Sequence, residues 1–587
     1  MSLELLAQSP AVTNWLTPIW LLSLGISAGF ILILLSLLKL WICSRIPGIN
    51  SMANGKSKYI FGAILSVVYI GFGILAYLWA FHETKLDEQA LTDLPLFLAF
   101  LVPVCLLIGF GALRFCTPSG FREIFDLQFE GFLFWKNAVC LFMIVFAVVG
   151  YLLAMSDGFG IIKFVDEPYV LLNSASRIPM TGVGRVEAEI QPTENKVGGT
   201  EIDVSFYGEE VQLVTILTDQ PLEMAAQPIS KAVLPSQVYS VAASEKIQLF
   251  PRRQDGEGRI PNGKIDKLYV VNTGNGPAQL KLGYATVPVN QEVWIIPWAA
   301  MFVFLSAIVY WASAVLFPKT FAVAFSTFKT EVNQPLFLVV LLAGVFFIMF
   351  SIWIPYNTFG EDIKMYKDSG LTLIRVLAIF LAVWAASKSV AEEIDGRTAL
   401  TVLSKPVGRR QFIIGKFSGI GLTIGLLFVL LGVWFIAWTS YKPIYDGKES
   451  TQGLIEWQTA FQHGIGLIPA IFLVFLEVLI FVAISVAIST RMGILANFLI
   501  CFAIYVLGHL TPLIVQSSAS EFEIVVAFGN LIAIIFPVLN HFDVQAAINT
   551  NAHVPLPYVG WAVMYCALYS SIAMLLALAL FEDRDLA

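Results

Sequence analysis

The sequence predicts a mainly α-helical, polytopic membrane protein with about eleven transmembrane helices and one extracytoplasmic, β-rich, sandwich-like module. Three observations predict it. Charge is scarce: 13% of the 587 residues are Asp, Glu, Lys or Arg and 57% are hydrophobic, where a soluble chain averages about 25% charged. Apolar runs of bilayer-spanning length, about 20 residues, recur through most of the chain. One long stretch, 157–293, loses that character and alternates polar with apolar residues.

The candidate spans, in order, are 18–42, 59–82, 95–115, 137–156, 294–317, 335–356, 371–387, 417–440, 465–489, 494–516 and 558–582. The opening MSLELLAQSPAVTNW has no basic n-region, so the first run is expected to be a retained span rather than a cleaved signal. The cysteines Cys43, Cys105, Cys116, Cys140, Cys501 and Cys566 fall in or beside apolar segments, and none forms a C-x-x-C pair. Neither a disulfide framework nor a metal site is expected of them. A net charge of -7 gives no basis for nucleic-acid binding.

Basic residues crowd the cytoplasmic side of a membrane protein. With the N-terminus outside, the inner loops hold Lys39, Arg45, Lys56 and Lys58, then Arg114, Arg122 and Lys136, then Lys319 and Lys329. They also hold the cluster from Lys388 to Lys416, Arg491 and Arg584. The short outer loops hold only Lys85, Lys364, Lys367, Lys442 and Lys448. The expected orientation is therefore N-terminus outside and C-terminus cytoplasmic, in a cell membrane such as a bacterial inner membrane.

Four spans make an N-terminal membrane region, 1–156. The segment 157–293 then carries RVEAEI (185–190), EIDVSFY (201–207), EVQLVTIL (210–217), KIQLF (246–250) and AQLKLGYATV (278–287), separated by NKVGGT, DGEGRIPNG and NTGNGP. Period-two alternation with Gly, Asn and Pro punctuation reads as antiparallel β structure. The orientation puts this module outside. It fits two roles, a folded spacer or a module that receives substrate or docks an envelope protein. The fifth span, 294–317, leads to a second unit, 318–587. That unit opens on an amphipathic helix, 318–334, in which Phe321, Phe325, Phe328 and Val332 recur at helical spacing. It is expected in the interface, its apolar face toward lipid or bundle. Six spans follow.

Between the spans at 371–387 and 417–440 lies AEEIDGRTALTVLSKPVGRRQFIIGKF (391–417). Gly396 after Asp395 weakens a continuous helix, Pro406 disfavours helix at Lys405, and Gly408 adds a second break. A short cross-helix over Thr398–Ser404, clamped between two spans, would work as a lever under a push from a cytoplasmic partner. Topology anchoring accounts for the basic residues. It does not account for Glu392, Glu393 and Asp395, nor for the ordered breakers.

This stretch resembles the cytoplasmic segment between the second and third spans of ABC-2 type transporter permeases. The matching residues are Glu393, Ile394, Gly396, Thr398, Leu403, Ser404, Pro406, Arg409, Gly415 and Lys416. Arg397 departs from the many members that run Gly-Thr directly. The interfacial helix, the six spans, the STRMG turn (489–493) and the FEDRDL ending (581–586) also fit. The resemblance covers about 318–587 and does not extend to the N-terminal half. It implies the membrane path of an ATP-driven transporter, commonly an exporter, completed by a second permease of the same or another kind. It also implies a coupling helix docked on a separate ATP-binding subunit. Its contacts would come from Glu392, Glu393, Asp395, Gly396, Arg397, Thr398, Leu400, Lys405, Pro406, Arg409 and Arg410. ATP and Mg would sit on that partner. In this chain the nearest approach to a P-loop, Gly408 to Gly415-Lys416-Phe417, spaces its glycines too widely and puts Phe417 where a hydroxyl is needed. No catalytic residue and no cofactor is expected on this polypeptide.

Glu477 stands in the middle of GLIPAIFLVFLEVLIFVAISVAIS. A carboxylate there costs at least about 2.5 kcal/mol on insertion scales, so it must face the bundle interior, be protonated or find a partner. Arg375 and His509 are the candidate partners. The site fits either a structural, neutral Glu or a role in the substrate path or gating. For the apolar run 522–547, broken by Gly529 and Pro537, the resemblance to ABC-2 permeases implies short re-entrant helices on the outer side; two further spans are the alternative. Two other functions compete with the permease: an ion-coupled secondary transporter using Glu477, and a non-transporting scaffold whose outer module binds an envelope partner. The first would also show paired broken helices from an internal repeat, and none is visible.

Overall fold

The computed structural model describes residues 16–46, 117–129, 143–150, 182–192, 199–227, 238–241, 246–249, 264–286, 290–354, 361–393, 407–449, 457–518, 536–550 and 554–582, with a few single positions between them. The protein is mainly helical and multi-pass. Among the described residues, 7 helices are long and apolar enough to cross a membrane: Thr17–Arg45, Glu292–Leu316, Pro335–Trp353, Asp362–Ala391, Arg409–Asp446, Trp457–Ser489 and Pro557–Glu582. The expected tenth span is a helix as well, Ile494–Ser518. The expected spans 59–82, 95–115 and 137–156 lie largely outside the described residues. The chain divides into two compact units. One comprises Met1–Ile33, Leu127–Val165 and Ala299–Ala587, and the other Leu34–Asp126 and Asp166–Trp298.

The second unit holds eight strands: β1 (Gly182–Ile190), β2 (Thr200–Tyr207), β3 (Val211–Thr218), β4 (Leu222–Ala225), β5 (Tyr239–Val241), β6 (Lys246–Leu249), β7 (Lys264–Asn272) and β8 (Ala278–Thr286). They form two sheets, ordered β1-β8-β3-β6 and β2-β7-β4-β5, and every described pairing is antiparallel. Alternation gives each sheet one apolar face. Ile190, Val214, Ile216, Leu280 and Leu282 from one sheet share a core with Ile202, Val204, Phe206, Leu268 and Val270 from the other. Asn272 stitches the sheets: its Nδ2 donates to Ile190 O at 3.0 Å and Gly276 O at 2.8 Å, and its Oδ1 accepts from Gly274 N at 2.9 Å. Outward charges pair across strands, as Glu187 with Lys281 at 3.0 Å.

The first unit contains the part of α1 (Thr17–Arg45) up to Ile33, where the Trp20 indole donates to Ala147 O at 3.1 Å. Its larger part is a C-terminal bundle. That bundle runs α3 (Ile295–Leu316), α4 (Pro318–Val332), α5 (Pro335–Phe350), α6 (Asp362–Ala386), α7 (Arg409–Glu449), α8 (Trp457–Ile465), α9 (Ile468–Ser489), α10 (Ile494–Ser518), α11 (Gln545–Asn549) and α12 (Leu556–Glu582). A separate short helix, α2 (Pro118–Phe129), precedes the strands. α9 is apolar all round and is buried along most of its length, as such a helix must be. The outward faces of α3, α5, α10 and α12 remain apolar, with Phe302, Leu342, Leu495 and Leu568 all exposed. Lipid covers such faces at no cost, whereas water would not.

Glycines set the helix spacing. On α7, Gly421, Gly425 and Gly432 form one seam against Leu479, Phe475 and Ile471 of α9. A second pair, Gly415 and Gly419, receives α4: a Cβ at Gly415 would lie 2.7 Å from Val323 Cβ, and one at Gly419 would lie 2.5 Å from Ala324 O. This turns α4 relative to the expected Phe row. Its buried residues are Val323, Ala324, Thr327 and Glu331, while Phe321, Phe325 and Phe328 stay half-buried and pack ring on ring. Small residues facing glycines allow the closer approach, so they take the contact.

Two spans are longer than hydropathy alone suggests. α6 begins at Asp362 rather than 371, and α7 runs from Arg409 to Glu449 rather than over 417–440. Their polar ends are satisfied locally. Lys367 Nζ donates to Ile548 O at 3.1 Å, Tyr366 OH to Ile348 O at 3.1 Å and Lys442 Nζ to Ile352 O at 3.3 Å. Within 522–547, the described part contains two short helical turns, Leu539–Phe542 and the start of α11.

Candidate functional site

The charged segment leaves α6 and returns on α7. α6 first widens into a π turn, Ser387–Glu392, and then reaches Glu393. On the far side Gly408 precedes Arg409, the first residue of α7, and its N–H donates to Gln411 Oε1 at 3.1 Å. Between these ends lies an ion pair: Lys416 Nζ is 2.5 Å from Glu393 Oε1. Lys416 is nearly closed off, 7% exposed, and Glu393 is 33% exposed. The ammonium also sits 5.5 Å from the centre of the Phe412 ring. The pair therefore ties the exit of α6 to the second turn of α7. A charge-assisted bond of this kind contributes on the order of 2 kcal/mol.

Arg409 does different work. Its Nη1 donates to Glu582 O at 2.8 Å and its guanidinium lies over the Phe581 ring at 5.9 Å. Arg491 Nε donates to Leu580 O at 2.9 Å. Two arginines thus satisfy the last carbonyls of α12, where a cation also suits the helix dipole. Arg410 is exposed and Glu392 belongs to the π turn. Asp395, Gly396, Arg397, Thr398, Leu400, Lys405 and Pro406 lie outside the described residues.

The second constellation is inside the bundle. Glu477 on α9 is fully buried. Arg375 Nε, from α6, lies 3.1 Å from its Oε2, and His509 Nε2, from α10, lies 3.9 Å from its Oε1. The structure brings together the three residues that the sequence singled out. The contact is ionic rather than well directed, for among the described residues neither Glu477 oxygen has an aligned hydrogen-bond donor. His509 Nδ1 lies 3.1 Å from Tyr505 O. If that nitrogen donates, a neutral ring presents a lone pair at Nε2 toward Glu477. At 3.9 Å the two groups are too far apart for a direct hydrogen bond.

The sequence reading placed Lys416 in the cytoplasmic basic cluster and in a Gly-Lys motif, without an acidic partner, and did not single out Asn497. Lys416 finds its acid far away along the chain. Asn497 was legible only as an amide at the start of an apolar span, a polar group needing partners in the membrane. Among the described residues no group of three or more His, Cys, Asp or Glu could hold a metal ion. Cys43, Cys501 and Cys566 are free thiols. No protein-family model matches the chain, and no curated protein matches its sequence.

Proposed function

We propose that this chain is the membrane-spanning permease subunit of an ATP-driven transporter of ABC-2 type, an exporter. A separate ATP-binding subunit, carrying ATP and Mg, would drive it through residues 392–410. One observation carries the reading. Glu393 and Lys416 tie together the two helices that flank the charged segment, so a push on that segment would move α6 and α7 as one. α6 in turn packs on α9, and α4 is seated on α7 through Gly415 and Gly419. The push would thus reach the bundle core and the interfacial helix together. The likeness of the 391–417 motif to ABC-2 permeases supplies the identity of the partner, and a second permease would complete the pore. The module at 182–286 would face outside, as a spacer or as a dock for substrate or an envelope protein.

The test is a charge exchange in membranes reconstituted with the ATP-binding subunit. Lys416→Glu alone should leave ATP hydrolysis but cut transport, because the two helices no longer move together. Glu393→Lys with Lys416→Glu should restore most of it. Single and double variants that all bind the ATPase, hydrolyse and transport like the parent would remove the basis of the reading. The Arg375–Glu477–His509 group favours a second reading, ion-coupled transport, in which a proton or cation at Glu477 drives the cycle. Glu477→Gln separates the two: transport that keeps its rate and its pH dependence leaves Glu477 structural.

A further inference from the structure

A hub of buried polar groups sits where α6 gives way to the charged segment. Asn497, in the first turn of α10, has no solvent exposure, and neither have Ser387, Ser485 and Ser489. Its Nδ2 lies 2.8 Å from Ser387 Oγ, 2.7 Å from Ser485 Oγ, 2.8 Å from Ser489 Oγ and 3.3 Å from the Ser485 carbonyl oxygen. The Cys501 thiol donates to its Oδ1 at 3.3 Å. An amide nitrogen carries two protons, so two of these bonds are made at a time. One side chain nevertheless joins three helices, α6 through Ser387, α9 through Ser485 and Ser489, and α10 through itself.

Ser387 is the first residue of the π turn. Such turns are rare in proteins, well under about 1% of residues, and they cluster at functional sites. A π turn holds one residue more than an α turn. Relaxing it to α-helix would rotate everything beyond it by about 100° and shift it by about 1.5 Å. That rotation would carry Glu393 away from Lys416. Val390 of the turn is buried in the bundle core, but apolar packing alone does not fix a hydrogen-bond register. The Ser389 hydroxyl, inside it, is buried without a hydrogen-bond partner among the described residues. The anchorage comes from across the bundle, at Ser387.

We infer that Asn497 is a positioning residue whose amide holds residues 387–392 in the π form, and so sets the direction in which the charged segment leaves α6 and aligns Glu393 with Lys416. The inference concerns the geometry of α6 and does not depend on the transporter reading.

The test uses the full chain in detergent or lipid discs. A water-soluble carbodiimide joins a carboxylate to an amine only when they touch, and the Glu393–Lys416 amide is then quantified by mass spectrometry of the digested protein. The parent should couple. Asn497→Leu should lower the yield by about tenfold, as the loss of one or two buried hydrogen bonds shifts a two-state equilibrium. Ser387→Ala, which keeps the α9 contacts, should lower it in the same direction. Deleting Lys388 in the Asn497→Leu background removes the extra residue, so a plain α-helix again presents Glu393 to Lys416. Coupling should then return to within about twofold of the parent. A variant that had merely loosened the bundle would not be repaired by losing a residue. Unchanged coupling in Asn497→Leu, or no recovery on deletion of Lys388, overturns the inference, as does a parent that fails to couple. Should Asn497→Leu aggregate on size exclusion, Ser387→Ala decides alone, and parental coupling in it overturns the inference.

Discussion

At the scale of single residues, Arg375 and Glu477 are two charges that neither helix can keep alone. Both are almost completely closed off, 7% and 0% exposed at 3.1 Å. Removing one leaves the other unpaired in an apolar bundle, which costs about 3–5 kcal/mol. Arg375→Met should therefore lower the melting temperature of the purified protein sharply. Arg375→Met together with Glu477→Met should recover most of the loss, since a buried pair replaced by packed apolar groups is often neutral. A double variant no more stable than the single would mean that the pair is not the interaction being lost. The Glu393–Lys416 pair is partly open to solvent, so breaking it should cost less stability and register mainly in transport. These two pairs also mark what was legible in the sequence. Glu477 announced itself because a carboxylate inside an apolar run is costly, and few residues of compatible charge lay at membrane depth. Lys416 gave no such signal, because a lysine near a span end is ordinary and its acid lies beyond a turn that periodicity cannot follow. Asn497 was silent for a related reason: an amide shows its importance only once three helices meet at it.

At the scale of elements, the glycine seam between α4 and α7 makes a sharp claim. The opening helix of the unit, 318–334, was legible from its periodicity and is a helix over Pro318–Val332. Its contact face was not, because the largest apolar side chains point to the wrong stripe. Packing is decided by which residues let two backbones meet, and that depends on Gly415 and Gly419 of a helix distant in sequence. A Cβ at Gly419 would come within 2.5 Å of the Ala324 carbonyl oxygen and 2.7 Å of Thr327 Cβ. Backbone cannot rotate away as a flexible side chain can, so Gly419→Ala should destabilise by about 1–3 kcal/mol. Gly421→Ala, which meets only the end of Leu479 at 3.3 Å, should cost clearly less. The measurement is thermal unfolding of both variants in the same detergent, and equal losses would mean that α4 is not seated on this seam. Strands follow the same logic. β1, β2, β3, β6 and β8 were readable by alternation. β7, which lies between two partners in its sheet, was not. It buries Val270 and Val271 in succession, and it pairs with a β2 that carries a register shift between Asp203 and Phe206.

At the scale of the whole molecule, the proposal is one of sidedness. Hydropathy finds spans but not direction, and direction rests on where lysine and arginine collect. The stretch from Lys388 to Lys416 holds six basic residues against three acidic ones between two apolar helices, and it belongs to the segment proposed to meet a cytoplasmic ATPase. The β-rich module has basic residues too, among them Arg252, Arg253 and Arg259, but a long translocated domain crosses largely regardless of charge, and its outward strand lysines are matched by acids, as Lys281 is by Glu187 and Lys264 by Asp266. Balanced charge of this kind does not oppose translocation, whereas the 388–416 cluster does. A single cysteine introduced at Asn195, in the NKVGGT stretch of the β-rich segment, should therefore react with a membrane-impermeant maleimide in intact cells. One introduced at Ser404 should react only after the membrane is opened. The native thiols set the background, so labelling is read against the parent chain and against a version in which Cys43, Cys105, Cys116, Cys140, Cys501 and Cys566 are replaced. The expected pattern puts the module and the charged segment on opposite sides of the membrane. The reverse pattern would move the charged segment outside, out of reach of any ATP-binding subunit, and the permease reading would fall with it. Labelling of both sites in intact cells would mean an odd number of spans lost from the intervening count, and would leave the ion-coupled use of Glu477 as the function to test.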